Sequence, residues 1–259
     1  MLEGETKMFN VEKVTNEIIE FIRDYYKKNN LKGAVIGISG GKDSGVVAGL
    51  FTKAIGPENV TGIWMPCHSK EEDKNNAYLV ANHFGFELKE CDLTNTYDNY
   101  IKGIKQNNEV TDIDMVDANI NIKPRLRTAT LYYYAAIFTK LKKGVYIVPG
   151  TSNKCEIYVG YFTKGGDNVA DIQVLADLTV DEVIEIGKYI GVPDKVVNKT
   201  PDDGLSGKTD EEKLGVKYSE IADVIENDGR NTNAKARMRI LELHNRNRHK
   251  FNTPTYRKQ

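Results

Sequence analysis

Residues Gly37-Ile38-Ser39-Gly40-Gly41-Lys42-Asp43-Ser44 stand between an apolar run, Gly33-Ala34-Val35-Ile36, and a helix-like run, Gly45 to Phe51. A strand that ends in a Ser/Gly-rich turn and opens a helix offers unpaired backbone N–H groups and the positive end of the helix dipole to an anion. Gly40 and Gly41 let that backbone approach phosphate oxygens with no Cβ in the way. Ser39 and Ser44 add hydroxyls, and Asp43 adds a carboxylate that a bare phosphate would repel. The chemistry this implies is the binding of a polyphosphate with a metal ion between it and Asp43.

The spacing separates two kinds of phosphate loop. A Walker loop needs about four residues between its first Gly and the Gly-Lys-[Ser/Thr]. Gly37 and Gly41 enclose only Ile38, Ser39 and Gly40, and Asp43 stands where the metal-binding hydroxyl belongs. The string Ser-Gly-Gly-x-Asp-Ser instead resembles the loop of the ATP pyrophosphatases, which cleave ATP between the α and β phosphates to adenylate a substrate. A second cluster, Gly150-Thr151-Ser152-Asn153-Lys154-Cys155-Glu156, follows an apolar run at 145–148, and Gly160 to Asp167 and Asp171 lie beyond it. Asp43 and Glu156, from separate strand ends, are the pair expected to hold Mg²⁺, with phosphate oxygens and waters completing an octahedron.

These residues need a frame that brings strand ends together. Apolar residues from Val11 to Tyr25 recur at helical spacing, and 60–65, 86–91 and 145–148 read as short strands separated by helix-length segments. Strands alternating with helices predict a parallel sheet covered on both faces, with ligands at the carboxyl ends of the strands. Helical patterns resume at 217–227 and 231–247, after a polar stretch from Thr200 to Lys213 that reads as a long loop, either a functional lid or a disordered connection. Tyr132-Tyr133-Tyr134 read as core or dimer packing rather than base stacking, since consecutive helical residues point apart.

The chain resembles ammonia-dependent NAD⁺ synthetases over nearly its whole length. The strings that carry this are Gly37–Ser44, Asn121-Ile122-Lys123-Pro124-Arg125-Leu126-Arg127, Gly150-Thr151 with Glu156, Gly160-Tyr161-Phe162-Thr163-Lys164 with Asp167 and Asp171, Thr209-Asp210-Glu211-Glu212 with Leu214-Gly215, and His249-Lys250. The resemblance implies an α/β fold with a Rossmann-like doubly wound parallel sheet and a C-terminal helical extension. It implies one domain over 1–259, with the pyrophosphatase core at about 30–195, the mobile loop at about 199–214 and the C-terminal helices at about 217–259. The implied reaction adenylates deamido-NAD⁺ with ATP and Mg²⁺, then lets ammonia displace AMP to give NAD⁺. Gly37, Ile38, Ser39, Gly40, Gly41, Lys42, Asp43, Ser44, Thr151, Lys199 and Asp202 would meet ATP, and Asp43 and Glu156 the metal. Arg125, Lys164, Asp171, His249 and Lys250 would hold deamido-NAD⁺, with Asp43, Glu156, Lys164 and Asp171 closest to the chemistry. Asp171 or Asp167 is expected to take a proton from the attacking nitrogen. The family usually places a Lys where this chain has Val180, and a hydroxyl residue where it has Asp202; Lys199 or Lys208 are candidates to supply the missing charge.

Composition narrows the alternatives. The balance of 36 basic against 37 acidic residues argues against a general nucleic-acid binder, although 230–259 is locally basic. Cys67, Cys91 and Cys155 lack paired spacing and fit a reducing compartment, and no run has the length of a membrane span. A cytoplasmic homodimer is expected, its interface on the central helices, using ammonia because 259 residues leave no room for an added hydrolase domain.

Overall fold

The computed structural model describes residues 9–111, 113–199, 209–251 and 253–257. Helix α1 (Val11–Lys28) begins at Asn10, whose side chain accepts the Lys13 N–H, and its buried Ile19, Ile22 and Tyr26 recur at the spacing read from sequence. Strand β1 (Leu31–Gly37) leads through the Ser/Gly loop into α2 (Lys42–Ile55). Then follow β2 (Val60–Trp64), α3 (Glu71–Phe84), β3 (Glu87–Glu90), α4 (Thr94–Gln106), α5 (Val116–Leu141) and β4 (Val145–Ile147). The four strands lie in the order β3-β2-β1-β4, all parallel. The order reverses at β1, so the loop after it sits at the crevice where doubly wound sheets bind ligands.

Burial explains the continuous apolar character of β1 and β2, whereas the edge strand β3 is half exposed. Ala34 and Ile36 of β1 pack into a core with α1, α2 and α3, whereas Val35 faces the opposite core, with Ala135 and Phe138 of α5. Both faces of the sheet are therefore covered, as a doubly wound arrangement requires.

The remaining elements build the edge of the crevice. A two-residue strand β5 (Pro149–Gly150) pairs in parallel with β6 (Ile172–Gln173), and α6 (Lys154–Val159) lies between them in sequence. Helices α7 (Val180–Ile190) and α8 (Asp194–Val197) return to the first core, where Val183, Ile186 and Val196 are buried. Three C-terminal helices, α9 (Asp210–Leu214), α10 (Tyr218–Glu226) and α11 (Ala234–Asn247), share a separate core with Cys155 and Val159 of α6 and with Val180. The strand pair β5-β6 was not legible in the sequence, where 149–151 reads as a turn.

Candidate active site

The loop after β1 is held by its own hydroxyls. Ser44 Oγ donates to the Gly41 carbonyl at 3.1 Å and accepts the Ser39 N–H at 3.2 Å. The Gly41 N–H in turn donates to Ser39 Oγ at 3.2 Å. Gly40 has φ +80°, and a Cβ there would stand 2.3 Å from the main-chain oxygen of Asp73 in α3. No residue but glycine fits that position without moving a helix. The loop thus curls under α3, with the N-terminus of α2 behind it.

Asp43 and Glu156 lie 113 positions apart in the chain, and one side chain connects them. Asn153, fully buried, donates its amide to Asp43 Oδ1 at 3.3 Å, while its own N–H donates to Glu156 Oε2 at 3.1 Å. Its Oδ1 also accepts the Glu156 N–H, closing a capping box that starts α6. Burial, and then the neighbouring Asp43 carboxylate, push the Glu156 carboxyl up to about 8. The opposing charge comes from Lys42, only 4% exposed, whose Nζ donates to Asp43 Oδ2 at 2.9 Å. Its ammonium loses stabilisation to burial, but Asp43, Glu156 and Asp210 more than restore it and hold its pKa above the ordinary lysine range.

A second group of residues assembles around the 160–171 segment. Gly166 packs against the ring of Pro124 inside α5, where a Cβ would come within 2.9 Å of Pro124 Cβ. There Arg125 Nε and Nη2 both donate to the Lys164 carbonyl at 3.2 Å. Lys164 Nζ donates to the carbonyl of His249 at 3.0 Å, and Lys250 Nζ donates to those of Gly160 at 2.7 Å and Phe162 at 2.8 Å. Burial lowers the Lys250 pKa against the pull of Asp167. Asp171 accepts the Val148 N–H at 2.8 Å and the Tyr132 hydroxyl at 3.2 Å. Burial, and then Asp171, raise the Tyr132 phenol to about 12, so it remains a donor. The two groups are contiguous, because the Tyr161 N–H donates to the Glu156 carbonyl at 2.8 Å.

Of the residues expected from sequence, the loop, Asp43 and Glu156 converge, and Arg125, Lys164, His249 and Lys250 converge. Thr151 lies between β5 and α6 at the same edge. Lys199 is ion-paired with Asp73, the residue that overhangs Gly40. Asp202 and Lys208 lie outside the described residues. Val180 is 6% exposed and packs in the apolar core of the C-terminal helices. Several participants were missed: Asn153, Tyr132, Asp73, Tyr218, and Lys123 and Arg127 of α5, which donate to the carbonyls of Cys67 and Met65 after β2. The spacing Asn153-x-x-Glu156 is a capping-box signal that could have found the first.

A Ser/Gly turn at the switch point of a parallel sheet, with two carboxylates joined through Asn153 beside it, is the arrangement expected of an α/β nucleotide-using enzyme. The NAD synthase family model matches residues 14–254, and the chain belongs to that family. It is 39% identical over 242 residues to the NH(3)-dependent NAD(+) synthetase of Finegoldia magna, covering 93% of this chain and 94% of that one. With the NH(3)-dependent NAD(+) synthetase of Methanococcus aeolicus it shares 40% identity over 218 residues, covering 83% and 82%. Among solved structures it is similar to an NMN synthetase from Francisella tularensis (TM-score 0.86, 33% identity, 97% and 100% covered). The NH3-dependent NAD synthetase from Campylobacter jejuni, solved with the nitrate ion, gives a TM-score of 0.78 at 25% identity, with 96% and 100% covered.

Proposed function

We propose that the chain is an amide-forming ligase that makes NAD⁺ from deamido-NAD⁺, ammonia and ATP. The observation that carries this is Asn153, which joins Asp43 of the phosphate loop to Glu156 and so presents two carboxylates beside a polyphosphate cradle. Hard oxygen donors of this kind suit Mg²⁺; burial, and then Asp43, raise the Glu156 carboxyl, and a bound cation would relieve both. Among the described residues no cluster of three His, Cys, Asp or Glu forms, so other oxygens, from phosphates and water, would complete the coordination. When bound, Mg²⁺ would offset the charge that builds between the nicotinate carboxylate and the α-phosphate.

The chain's own residues then divide the work. Gly40 and the N-terminus of α2 receive the phosphates through backbone N–H groups, with Ser39, Gly41 and Ser44 fixing the turn. Arg125, Lys164 and Lys250 surround the 160–164 segment and supply positive charge for the dinucleotide's phosphates, with His249 beside them. In the first step the substrate carboxylate attacks the α-phosphorus and pyrophosphate leaves. In the second, ammonia attacks the activated carbonyl carbon and AMP departs. Asp171, aimed by Tyr132 and the Val148 N–H, takes the proton that the new amide nitrogen sheds.

The test is an incubation with ATP, MgCl₂, ammonium chloride and deamido-NAD⁺ in which AMP and NAD⁺ are both measured. Equal production of the two supports the reading; AMP without NAD⁺, or neither, sinks it. The similarity to the Francisella tularensis NMN synthetase favours a second reading, in which the acceptor is the mononucleotide, nicotinate ribonucleotide. Comparing kcat/KM for the two acceptors decides between them.

We further propose a cytoplasmic homodimer. Ile113, Val116, Ile120, Tyr133 and Leu141, in and before α5, are 85%, 53%, 47%, 70% and 70% exposed. Apolar residues in such number along one long helix suit a second copy of the chain. All three cysteines are free, as a reducing compartment would keep them, and among the described residues no helix is long and apolar enough to cross a membrane. Light scattering at micromolar concentration should give twice the chain mass; a monomer would refute the dimer.

A further inference from the structure

Lys42 is the first residue of α2 and Asp43 the second, yet their side chains form an ion pair at 2.9 Å. Adjacent residues on a helix point about 100° apart, so such a pair does not arise from helix geometry alone. It forms because both side chains turn inward, beneath α6 and α10. Lys42 Nζ lies 5.9 Å from the centre of the Tyr218 ring, and Asp43 meets Asn153 at the start of α6. A lysine only 4% exposed beside a phosphate loop, with its ammonium on the loop's own carboxylate, has two possible roles. It either positions Asp43 permanently or stands in for a cation that arrives later.

Competition for one oxygen favours the second role. The ammonium already occupies Asp43 Oδ2 at 2.9 Å, and Asn153 ties Asp43 to Glu156. A divalent ion on Asp43 and Glu156 would set two positive charges beside the Lys42 ammonium and compete for the same carboxylate oxygen. The four-carbon stem of lysine lets its head group move while the backbone stays fixed. The anions nearest to its new position would be the phosphates held at Gly40 and the N-terminus of α2, within two residues of it along the chain. The phenol oxygen of Tyr218 is also buried without a hydrogen-bond partner, which fits a site whose polar groups are satisfied only in a different arrangement.

We propose that Lys42 is a transferable cation: it balances Asp43 while the site carries no metal, and it moves onto the nucleotide's phosphates when a metal binds. This rests on the ATP- and Mg²⁺-using reading above, but it makes its own demand on binding. A lysine that merely positions Asp43 helps both ligands, whereas a transferable one opposes the metal and helps the nucleotide.

The experiment measures Mg²⁺ binding to the nucleotide-free protein by calorimetry, and then binding of a non-hydrolysable ATP analogue at saturating MgCl₂. Lys42→Met should bind Mg²⁺ about tenfold more tightly and the Mg-nucleotide about tenfold more weakly than the unaltered protein. Weaker or unchanged Mg²⁺ affinity in Lys42→Met overturns the proposal. Since removing this ammonium leaves buried carboxylates unbalanced and the variant can fail to fold, a second measurement uses the unaltered protein with ¹⁵N-labelled lysine. The Lys42 Nζ resonance should shift on adding MgCl₂ alone and again on adding the analogue; a resonance that ignores MgCl₂ overturns the proposal equally. Neither measurement involves deamido-NAD⁺ or ammonia. NAD⁺ formation by the unaltered protein with either binding result reversed would therefore reject the lysine's role and keep the function.

Discussion

Asn153→Asp is nearly isosteric, keeps the oxygen that caps α6, and changes one donor into a third acid between Asp43 and Glu156. At an effective dielectric of about 20, two unit charges separated by the 3.3 Å that parts Asn153 from Asp43 repel by about 5 kcal/mol. Asp43 keeps 19% of its side-chain exposure, and that contact with solvent cuts the repulsion to roughly half. Losing the amide's hydrogen bond adds about 1 kcal/mol, for a total of about 3 to 4 kcal/mol. For a domain of this size that corresponds to a fall in Tm of about 10 °C. Asn153→Ala loses the cap and the same bond, worth about 2 kcal/mol together, but adds no charge. The variant that preserves shape and cap should therefore be the less stable one. The new carboxyl has its folded pKa raised, so its penalty is absent below the ordinary carboxylate range and grows as pH rises through that range. Thermal unfolding in EDTA should show Asn153→Asp below Asn153→Ala at pH 8, the gap closing near pH 5 and shrinking when MgCl₂ is added. An Asn153→Asp protein as stable as Asn153→Ala at pH 8, or a gap indifferent to pH, would refute the placement of two charged acids around Asn153.

Glu156→Gln removes an acid whose folded pKa lies near 8, so the unaltered, metal-free protein should lose stability as pH rises from the carboxylate range toward 8. Urea midpoints at pH 6 and pH 8 in EDTA should show that slope, and its survival in Glu156→Gln would assign it to another group. Tyr132→Phe deletes the hydroxyl that donates to Asp171 at 3.2 Å. It should slow amide formation about three- to tenfold in a single-turnover quench while adenylate formation is kept; equal losses in both steps would reject Tyr132 as a guide for Asp171. Gly40→Ala drives a Cβ to within 2.3 Å of the Asp73 carbonyl at a φ of +80°. Binding of the ATP analogue should fall at least about tenfold, and unaltered binding would show that α3 can give way there.

What could be read from the sequence follows the range of the interactions involved. β1 and β2 are buried on both faces, so their identity is written in short apolar runs, while the edge strand β3 is half exposed and alternates; β1 to β4 fall within one or two residues of the expected spans. The phosphate loop was legible for a related reason: Gly40, Ser39 and Ser44 satisfy one another within a few residues, so their types and spacing already describe the turn. Strands β5 and β6 were not legible, because two residues each leave no periodicity to detect. Asn153 was quoted in a string but given no role, although its capping-box spacing to Glu156 is local. Its second bond, to Asp43, spans 110 positions and has no local trace.

Tyr132 and Lys42 show a different limit. In the sequence both read as part of a string, Tyr132 with the next two tyrosines as core or dimer packing and Lys42 with the loop as a contact to ATP. A helix separates such neighbours in direction, and the three tyrosines do part: Tyr133 is 70% exposed, while Tyr132 reaches Asp171 on another element. Lys42 and Asp43 should part in the same way and do not, because the charge of Asp43 and the packing of α6 and α10 outweigh the geometry of α2. Adjacent residues that helix geometry separates, yet that the fold brings together, mark a place where a cost has been met by long-range contacts. In this chain that place is the acid expected to carry the metal, and the ammonium on it is the group that any incoming cation must first displace.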